Sequence, residues 1–305
     1  MNKFEKLAYA YVLGAEKAVL AKLDKVYKRA LDDINRRIKL MQADELMGNR
    51  VYRKQQQEAL KGQIEAILEI LHTQEYETIE DYLKDSYTNG LVSTIYSLHH
   101  QGLPLTFPID QAQVVKALVT NSAISEGLYK SLGVDTKHLR EVIASEISRG
   151  IASGMSFSEM ARNISNQTGI AKNRARSIVI TESHRIQEEA SQDVRTEAKK
   201  TGANIVKQWD ATLDGRTRDT HRRLDGQIRE VDEPFEIDGK EAMYPGGFGL
   251  AEEDCNCRCV ALTRAKWGLD ESELETMKER AEYWGLDKTE SFEEFKRKYM
   301  DAVKE

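Results

Sequence analysis

The residues best suited to carry chemistry lie close together in the last third of the chain. His221 sits within a run of charged residues, and Cys255, Cys257 and Cys259 belong to the segment CNCRC. Thiolates and imidazole bind borderline cations such as zinc, and alternate residues of a strand project to one side. We therefore hypothesise a structural zinc held by His221 and the three cysteines. The alternative is that the cysteines are reduced and pack as small apolar groups.

Four arginines surround His221 and form a second candidate site. A guanidinium group can form two hydrogen bonds to one phosphate, so the cluster predicts a nucleic-acid-binding patch. Asp214, Asp219 and Asp225 are interleaved with the arginines and offer internal partners, so a paired network that holds a turn is an equal alternative. The arginines are Arg216, Arg218, Arg222 and Arg223.

A metal-dependent hydrolase centred on His221 is a weaker hypothesis. Asp210, Asp214 and Asp225 together with this histidine could hold a divalent ion that activates water. The sequence adds no separate catalytic lysine or glutamate motif, and it lacks GxxxxGK[ST], GxSxG and HExxH. We therefore expect no catalytic residues and no enzymatic activity.

The composition narrows the classes of partner. The chain of 305 residues has a formal net charge of -6, so DNA contact would require a local basic patch. No run of about 18 apolar residues is present that could span a bilayer, and we expect no membrane partner. Glu5 and Glu16 lie within the first apolar stretch, which favours an amphipathic helix over a signal peptide. Three cysteines within five residues cannot build a disulfide framework, so we expect synthesis in a reducing cytoplasm.

Helical periodicity dominates the chain before this segment. Apolar residues recur at spacings of three and four over residues 19–41, 60–71 and 79–98, which predicts a hairpin-connected helical arm over residues 1–103. Pro104 and Pro108 interrupt the helices and mark a boundary. A helical subdomain over residues 104–201 follows.

Within this subdomain, the spacing of Ser156 and Glu159 predicts a capping box that starts a short helix at Phe157. A turn over residues 166–169 and a long helix over residues 171–200 come next, with Gly202 as the C-terminal cap. Thr181, His184 and Arg185 lie on adjacent turns of the long helix. They either bond to a neighbouring element or form a solvated face.

The sequence predicts a small α+β module over residues 202–265, followed by C-terminal helices over residues 266–305. The expected elements are a strand in ANIVKQWD, a helix over residues 217–224, and strands over residues 227–231 and 257–262. The fold class is therefore mainly α: an elongated helical N-terminal region, a small α+β C-terminal module with short strands, and terminal helices.

Two runs carry a resemblance to a known family. The run DGRTRDTHRRLDG over residues 214–226, termed here the arginine-histidine run, and the cysteine segment over residues 255–259 resemble the Mu F-like phage minor head proteins, also called phage head morphogenesis proteins. The resemblance covers about residues 140–265. The matching residues are Asp214, Arg216, Thr217, Arg218, His221, Leu224, Asp225, Gly226, Tyr244, Pro245, Gly246, Asn256, Cys257, Arg258 and Cys259.

The resemblance implies a tailed-phage or prophage protein present in a few copies inside the capsid near the portal vertex. The implied partners are the phage portal protein, the major capsid or scaffolding protein, and double-stranded DNA during packaging or ejection. Some relatives carry toxin domains after the shared region, but enzymatic activity is not a property of the family. The main alternative is a DNA-binding ejection protein that uses the four arginines.

Overall fold

The computed structural model describes residues 1–44, 50–103, 157–265 and 291–302, together with single residues between 139 and 149 and between 285 and 289. The first helix, α1 (Lys3–Asp44), begins with a reciprocal cap. The Asn2 side chain accepts a hydrogen bond from the Glu5 amide (2.9 Å), and the Glu5 carboxylate accepts one from the Asn2 amide (2.6 Å). Two amides without helical partners are thereby satisfied.

The second helix, α2 (Arg50–His99), is continuous and carries the second and third apolar stripes. It ends where Gly102 adopts a positive φ of 86°, a conformation that favours glycine. The Leu103 amide then donates to the Leu98 carbonyl (2.9 Å), which closes the last turn in the manner of a Schellman motif.

The third helix, α3 (Phe157–Lys200), starts at the predicted residue, but it is not short. The predicted turn over residues 166–169 is wrong, and so is the predicted start of the long helix at residue 171. Ile164 and Ala175, eleven residues or three helical turns apart, are buried in the same core, so one apolar face runs through the expected turn. Gly202 ends this helix with a φ of 96°, as expected.

A three-stranded antiparallel sheet follows, in the order β2-β1-β5. Its strands are β1 (Ile205–Asp210), β2 (Ile228–Glu230) and β5 (Val260–Ala265). The short strands β3 (Phe235–Ile237) and β4 (Lys240–Ala242) form a separate hairpin. Asp238 and Gly239 at its tip both have positive φ, which suits the right-handed twist of a two-residue hairpin.

Three short helices complete the described elements: α4 (Asp219–Leu224), α5 (Ala251–Asp254) and α6 (Phe292–Ala302). Several boundaries differ from the sequence prediction, including two beside His221 and the cysteines. The helix expected from residue 217 begins two residues later, and the last strand begins at Val260 rather than Cys257. The cysteine segment is therefore a turn and loop that leads into β5. Searched over the described residues, no helix combines the length and apolar character needed to cross a membrane.

The described residues fall into two compact units. The first contains residues 1–16, 82–103 and those from 180 onward, and the second contains residues 17–81 and those between 139 and 179. The second unit has an aliphatic core that includes Ile34, Ile64 and Ile164. The first contains the sheet, whose core surrounds Trp209 and Phe235. The segment boundaries at residues 104, 202 and 266 stay predictions.

Within the first unit, buried polar groups attach the sheet to the long helices. The Arg195 guanidinium of α3 donates to the Thr263 hydroxyl (3.0 Å) and to the Ala261 carbonyl. The Gln101 side chain donates to the Thr263 carbonyl (2.9 Å) and accepts from the Ala265 amide (3.1 Å). The side-chain amide of Gln101 thus pairs with backbone groups at the outer edge of β5 that would otherwise have no partner.

Candidate functional site

An ion pair joins the arginine-histidine run to the cysteine segment. The Arg258 guanidinium donates to both carboxylate oxygens of Asp214, at 2.6 and 2.7 Å. The Asp214 carboxylate also accepts the Arg216 amide at 2.9 Å. Arg258 first, and this amide second, hold the pKa of Asp214 well below its usual range. Residues 44 positions apart are therefore fixed to each other by a two-pronged contact.

The other residues of the arginine-histidine run hold its loop against β1. The Asp225 carboxylate accepts the Ala211 amide at 2.8 Å. Gly226 has a φ of 79°, and its amide donates to the Trp209 carbonyl at 2.8 Å. Leu224 is fully buried beside these groups, and the Thr217 hydroxyl donates to the Thr212 carbonyl. The run therefore has a local structural role in holding this loop against β1.

His221, Cys257 and Cys259 form a compact group. The imidazole Nδ1 lies 3.3 Å from the Cys259 sulfur and 3.6 Å from the Cys257 sulfur. All three side chains are buried, and the atoms they offer to a metal lie within 4.8 Å of one another. The indole of Trp209 stands edge-on to the imidazole, with ring centroids 5.5 Å apart. The group is therefore buried and bordered by an aromatic ring.

Two local features place these side chains. His221 lies on the inner face of α4, next to buried Leu224. Asn256 adopts a positive φ of 53°, and its amide donates to the Thr181 hydroxyl of α3 at 3.0 Å. This turn reverses the chain just before Cys257, so that Cys257 and Cys259 enter the core while Cys255 remains exposed.

Glu253 completes the surroundings of the imidazole. Its carboxylate lies 3.3 Å from His221 Nε2, on the side of the ring opposite to the sulfurs. Lys240 Nζ (2.7 Å) and the Thr220 hydroxyl (2.9 Å) donate to the same carboxylate. Burial opposes the charge, but the hydrogen bonds from Lys240 and Thr220 outweigh burial and lower the pKa of Glu253. The ionised carboxylate therefore lies beside a buried imidazole nitrogen that forms no hydrogen bond with the described residues.

The two buried cysteines differ in acidity. Hydrogen bonding from Cys257 and contact with His221 lower the pKa of Cys259, although burial opposes this shift. The pKa of Cys257 is raised, first by its bond to Cys259 and then by burial. Burial and the nearby His221 also lower the pKa of His184 to about 4, so that ring is neutral at pH 7. Thiolate character concentrates on Cys259, beside the imidazole.

The structure thus brings together three of the four residues that the sequence suggested as zinc ligands. Cys255 lies outside the group, and its carbonyl accepts a hydrogen bond from Arg218 at 2.6 Å. The sequence analysis missed Glu253, which is an ordinary acidic residue of α5 with no motif to mark it. Its position one turn before the cysteine segment was the available signal.

The four arginines of the proposed nucleic-acid patch have different surroundings. Arg223 forms a two-pronged pair with Asp238 on the β3–β4 turn. Arg222 contacts Asp219 (3.6 Å) and the Asp214 carbonyl (2.9 Å). Arg216 is exposed and, with Arg218 and Arg258, lines a cavity of about 540 Å³. Arg222 and Arg223 therefore belong to a paired network, whereas Arg216 and Arg218 line the cavity.

The three aspartates of the hydrolase hypothesis are separated by their partners. Asp214 binds Arg258, Asp225 caps the Ala211 amide, and Asp210 lies 3.6 Å from the N-terminal ammonium group. Among the described residues, the group around His221 that could hold a metal ion contains two cysteines and none of these carboxylates.

The polar residues in the middle of α3 contact a neighbouring element and also one another. Thr181 binds the cysteine segment, and Arg185 is buried between Glu182 (3.1 Å) and Glu189 (2.7 Å). Gly246 of the YPGG segment lies against this part of α3. A Cβ atom added at Gly246 would be only 3.4 Å from the His184 ring. Gly246, one of the residues of the family resemblance, therefore packs against the helix.

Comparison with known proteins adds a family match. A family model described as Phage Mu protein F like protein matches residues 141–262. The chain is 31% identical over 261 residues to Minor head protein GP7 of Bacillus phage SPP1, covering 79% of this chain and 80% of that protein. It is 32% identical over 265 residues to the NAD(+)--arginine ADP-ribosyltransferase EFV of Enterococcus faecalis. That match covers 86% of this chain, which spans about half (54%) of the transferase. No solved structure matches.

Proposed function

This chain belongs to the Mu F-like family of phage minor head proteins, and we propose that it acts in head morphogenesis at the portal vertex of a phage capsid. The observation that carries this proposal is the match to the SPP1 minor head protein, which extends over most of both chains. The match therefore includes the helical half of the chain, where no motif was recognised, and not only the two signature runs.

The charge distribution supports a protein partner. The formal net charge of -6 disfavours broad contact with DNA. The proposed location is the capsid interior near the portal, after synthesis in the bacterial cytoplasm.

Pairwise binding tests the proposal. The full chain and the portal protein of the same phage are co-expressed and separated by size-exclusion chromatography with light scattering. Co-elution of the two proteins is the expected result, and the portal protein of an unrelated phage serves as the specificity control. Separate elution of the cognate pair at micromolar concentrations would contradict portal association.

DNA binding during packaging or ejection is a second candidate function, favoured by the exposed guanidinium group of Arg216. Retardation of duplex DNA should weaken steeply with salt and be lost when the four arginines of the patch become alanine. The matched control removes four exposed positive charges from α1, at Lys28, Arg29, Arg37 and Lys39. Equal retardation by both quadruple variants would exclude the patch.

We further propose that the chain functions without enzymatic activity. The transferase relative extends well beyond the matched region, whereas the minor head protein is matched over 80% of its length. Incubation with labelled NAD+ and arginine-containing protein should transfer no ADP-ribose, and incubation with DNA and divalent cations should give no cleavage. Transfer or cleavage by the purified chain would overturn this part of the proposal.

A further inference from the structure

We propose that His221, Cys257 and Cys259 bind a structural zinc ion that locks the arginine-histidine run to the cysteine segment. The inference is independent of the role in the phage head, because it rests only on the geometry of the three buried side chains. It also reduces the four ligands suggested by the sequence to three.

The distances fit a tetrahedral N/S site. Zinc lies about 2.3 Å from a thiolate sulfur and about 2.0–2.1 Å from an imidazole nitrogen, so a nitrogen and a sulfur on the same ion are about 3.6 Å apart. The observed separations from His221 Nδ1 are 3.3 Å to Cys259 and 3.6 Å to Cys257. One nitrogen atom facing two sulfurs at these distances is the arrangement that a shared cation requires.

The surroundings of the imidazole are those of a metal ligand. Histidines that bind metals through one nitrogen usually donate the other N–H to a carboxylate or carbonyl, which fixes the ring orientation. Here Nδ1 faces the sulfurs, and Nε2 lies 3.3 Å from the Glu253 carboxylate. Lys240 and Thr220 hold that carboxylate in place. A carboxylate thus lies beside the nitrogen that would carry the N–H of a metal-bound imidazole.

The charges also balance. Two thiolates neutralise a divalent cation, and Lys240 neutralises Glu253, so the buried site carries no net charge. A disulfide is the other way to join two cysteines, but residues separated by one position seldom meet the required geometry. Both cysteines are free thiols in the structure.

The described residues supply three ligands, which leaves one tetrahedral position for water. Cys257 lies on the wall of the cavity of about 540 Å³, from which water can reach the cluster. The ion would connect α4 to the loop before β5 in the buried core, in addition to the ion pair between Arg258 and Asp214. Its binding free energy would thus contribute directly to folding of the C-terminal module.

Elemental analysis of the untagged, full-length chain tests the site, and Cys255→Ser provides the matched control. We expect about one zinc ion per chain in the wild type and in Cys255→Ser, and a loss of more than about tenfold in Cys257→Ser, Cys259→Ser and His221→Ala. If the ligand variants fail to fold, the wild type is stripped with a chelator and titrated with Co²⁺. A thiolate-to-cobalt charge-transfer band with tetrahedral d–d intensity is then expected.

Three results would overturn the proposal. The first is a folded wild type with less than about a tenth of a zinc ion per chain that also develops no charge-transfer band with Co²⁺. The second is equal zinc retention in Cys255→Ser and Cys259→Ser. The third is loss of zinc from Cys255→Ser alone. None of these results bears on binding to the portal protein, so the two proposals fail separately.

Discussion

The close approach of α2 to α3 at Gly90 gives the sharpest prediction about the fold. A Cβ atom added at Gly90 would lie 2.2 Å from the Gln187 carbonyl oxygen and 2.7 Å from the Gln187 Cα. Ordinary contacts begin near 3.4 Å, so the backbone of one helix must move by about 1.2 Å. The Ser191 hydroxyl also donates to the Gly90 carbonyl (3.2 Å), and this hydrogen bond would be strained.

We expect Gly90→Ala to lower the free energy of unfolding by about 2 kcal/mol. Overpacking of a close contact costs about 1–3 kcal/mol and the strained hydrogen bond about 1 kcal/mol, while replacing glycine in a helix recovers about 0.5–1 kcal/mol. Gly14→Ala in α1 is the matched control, since nothing lies within 4 Å of the added atom. That variant should be stabilised by about 0.5–1 kcal/mol.

Urea unfolding followed by tryptophan fluorescence and by far-ultraviolet circular dichroism measures both variants. Gly14 and Gly90 belong to the same compact unit, so the same transition reports on both. The account predicts opposite signs for the same chemical change. A Gly90→Ala variant as stable as Gly14→Ala would refute the helix contact on which the attachment of the sheet depends.

Three further predictions concern buried polar groups of α3. Arg195→Met should lower the free energy of unfolding by about 3–6 kcal/mol, because two hydrogen bonds from a buried charge are lost. The control Lys200→Met, at the exposed end of α3, should cost less than about 1 kcal/mol. Equal urea midpoints for the two variants would contradict the role of Arg195. Burial raises the pKa of Glu188 from 4.5 to about 7 despite the opposing effects of Arg195 and the Ala261 amide, so its native state holds a proton more tightly than the unfolded state. Protonated Glu188 therefore contributes about 3 kcal/mol to the free energy of unfolding below pH 4.5, and this contribution is lost as the pH rises through 7. A Glu188→Gln variant whose stability depends on pH as the wild type's does would exclude Glu188 as the cause. Thr181→Val should cost about 1 kcal/mol, because it leaves the Asn256 amide without its acceptor. The control Thr201→Val, at the exposed end of α3, should change the urea midpoint much less. Equal midpoints for the two variants would argue against the hydrogen bond between Thr181 and Asn256.

Periodicity was sufficient to predict the long helices but not all of their ends. The apolar stripes correctly marked the buried faces of α1 and α2. The expected turn over residues 166–169 failed because Gly169 and its polar neighbours suggest a break, whereas the core contacts of Ile164 and Ala175 keep the helix continuous. Tertiary packing outweighs the local preference of glycine, which the sequence alone does not show.

The sequence shows which residue types the candidate site contains, but it does not show which of the candidate residues come together. Strict alternation would place all three cysteines on the same side of a strand. The positive φ of Asn256 reverses the chain and leaves Cys255 outside the group. Glu253 and Thr181 could not be assigned either, because their roles arise only where α3, α4 and α5 meet.

The presence of the chain in assembled heads tests the proposed function most directly. Capsid, scaffolding and portal proteins of the same phage are co-expressed with this chain, heads are purified with and without portal protein, and the copies of the chain per head are counted by quantitative mass spectrometry. The account predicts a few copies in heads that contain the portal and none in heads that lack it. Equal amounts in both preparations, or absence from both, would contradict a role at the portal vertex.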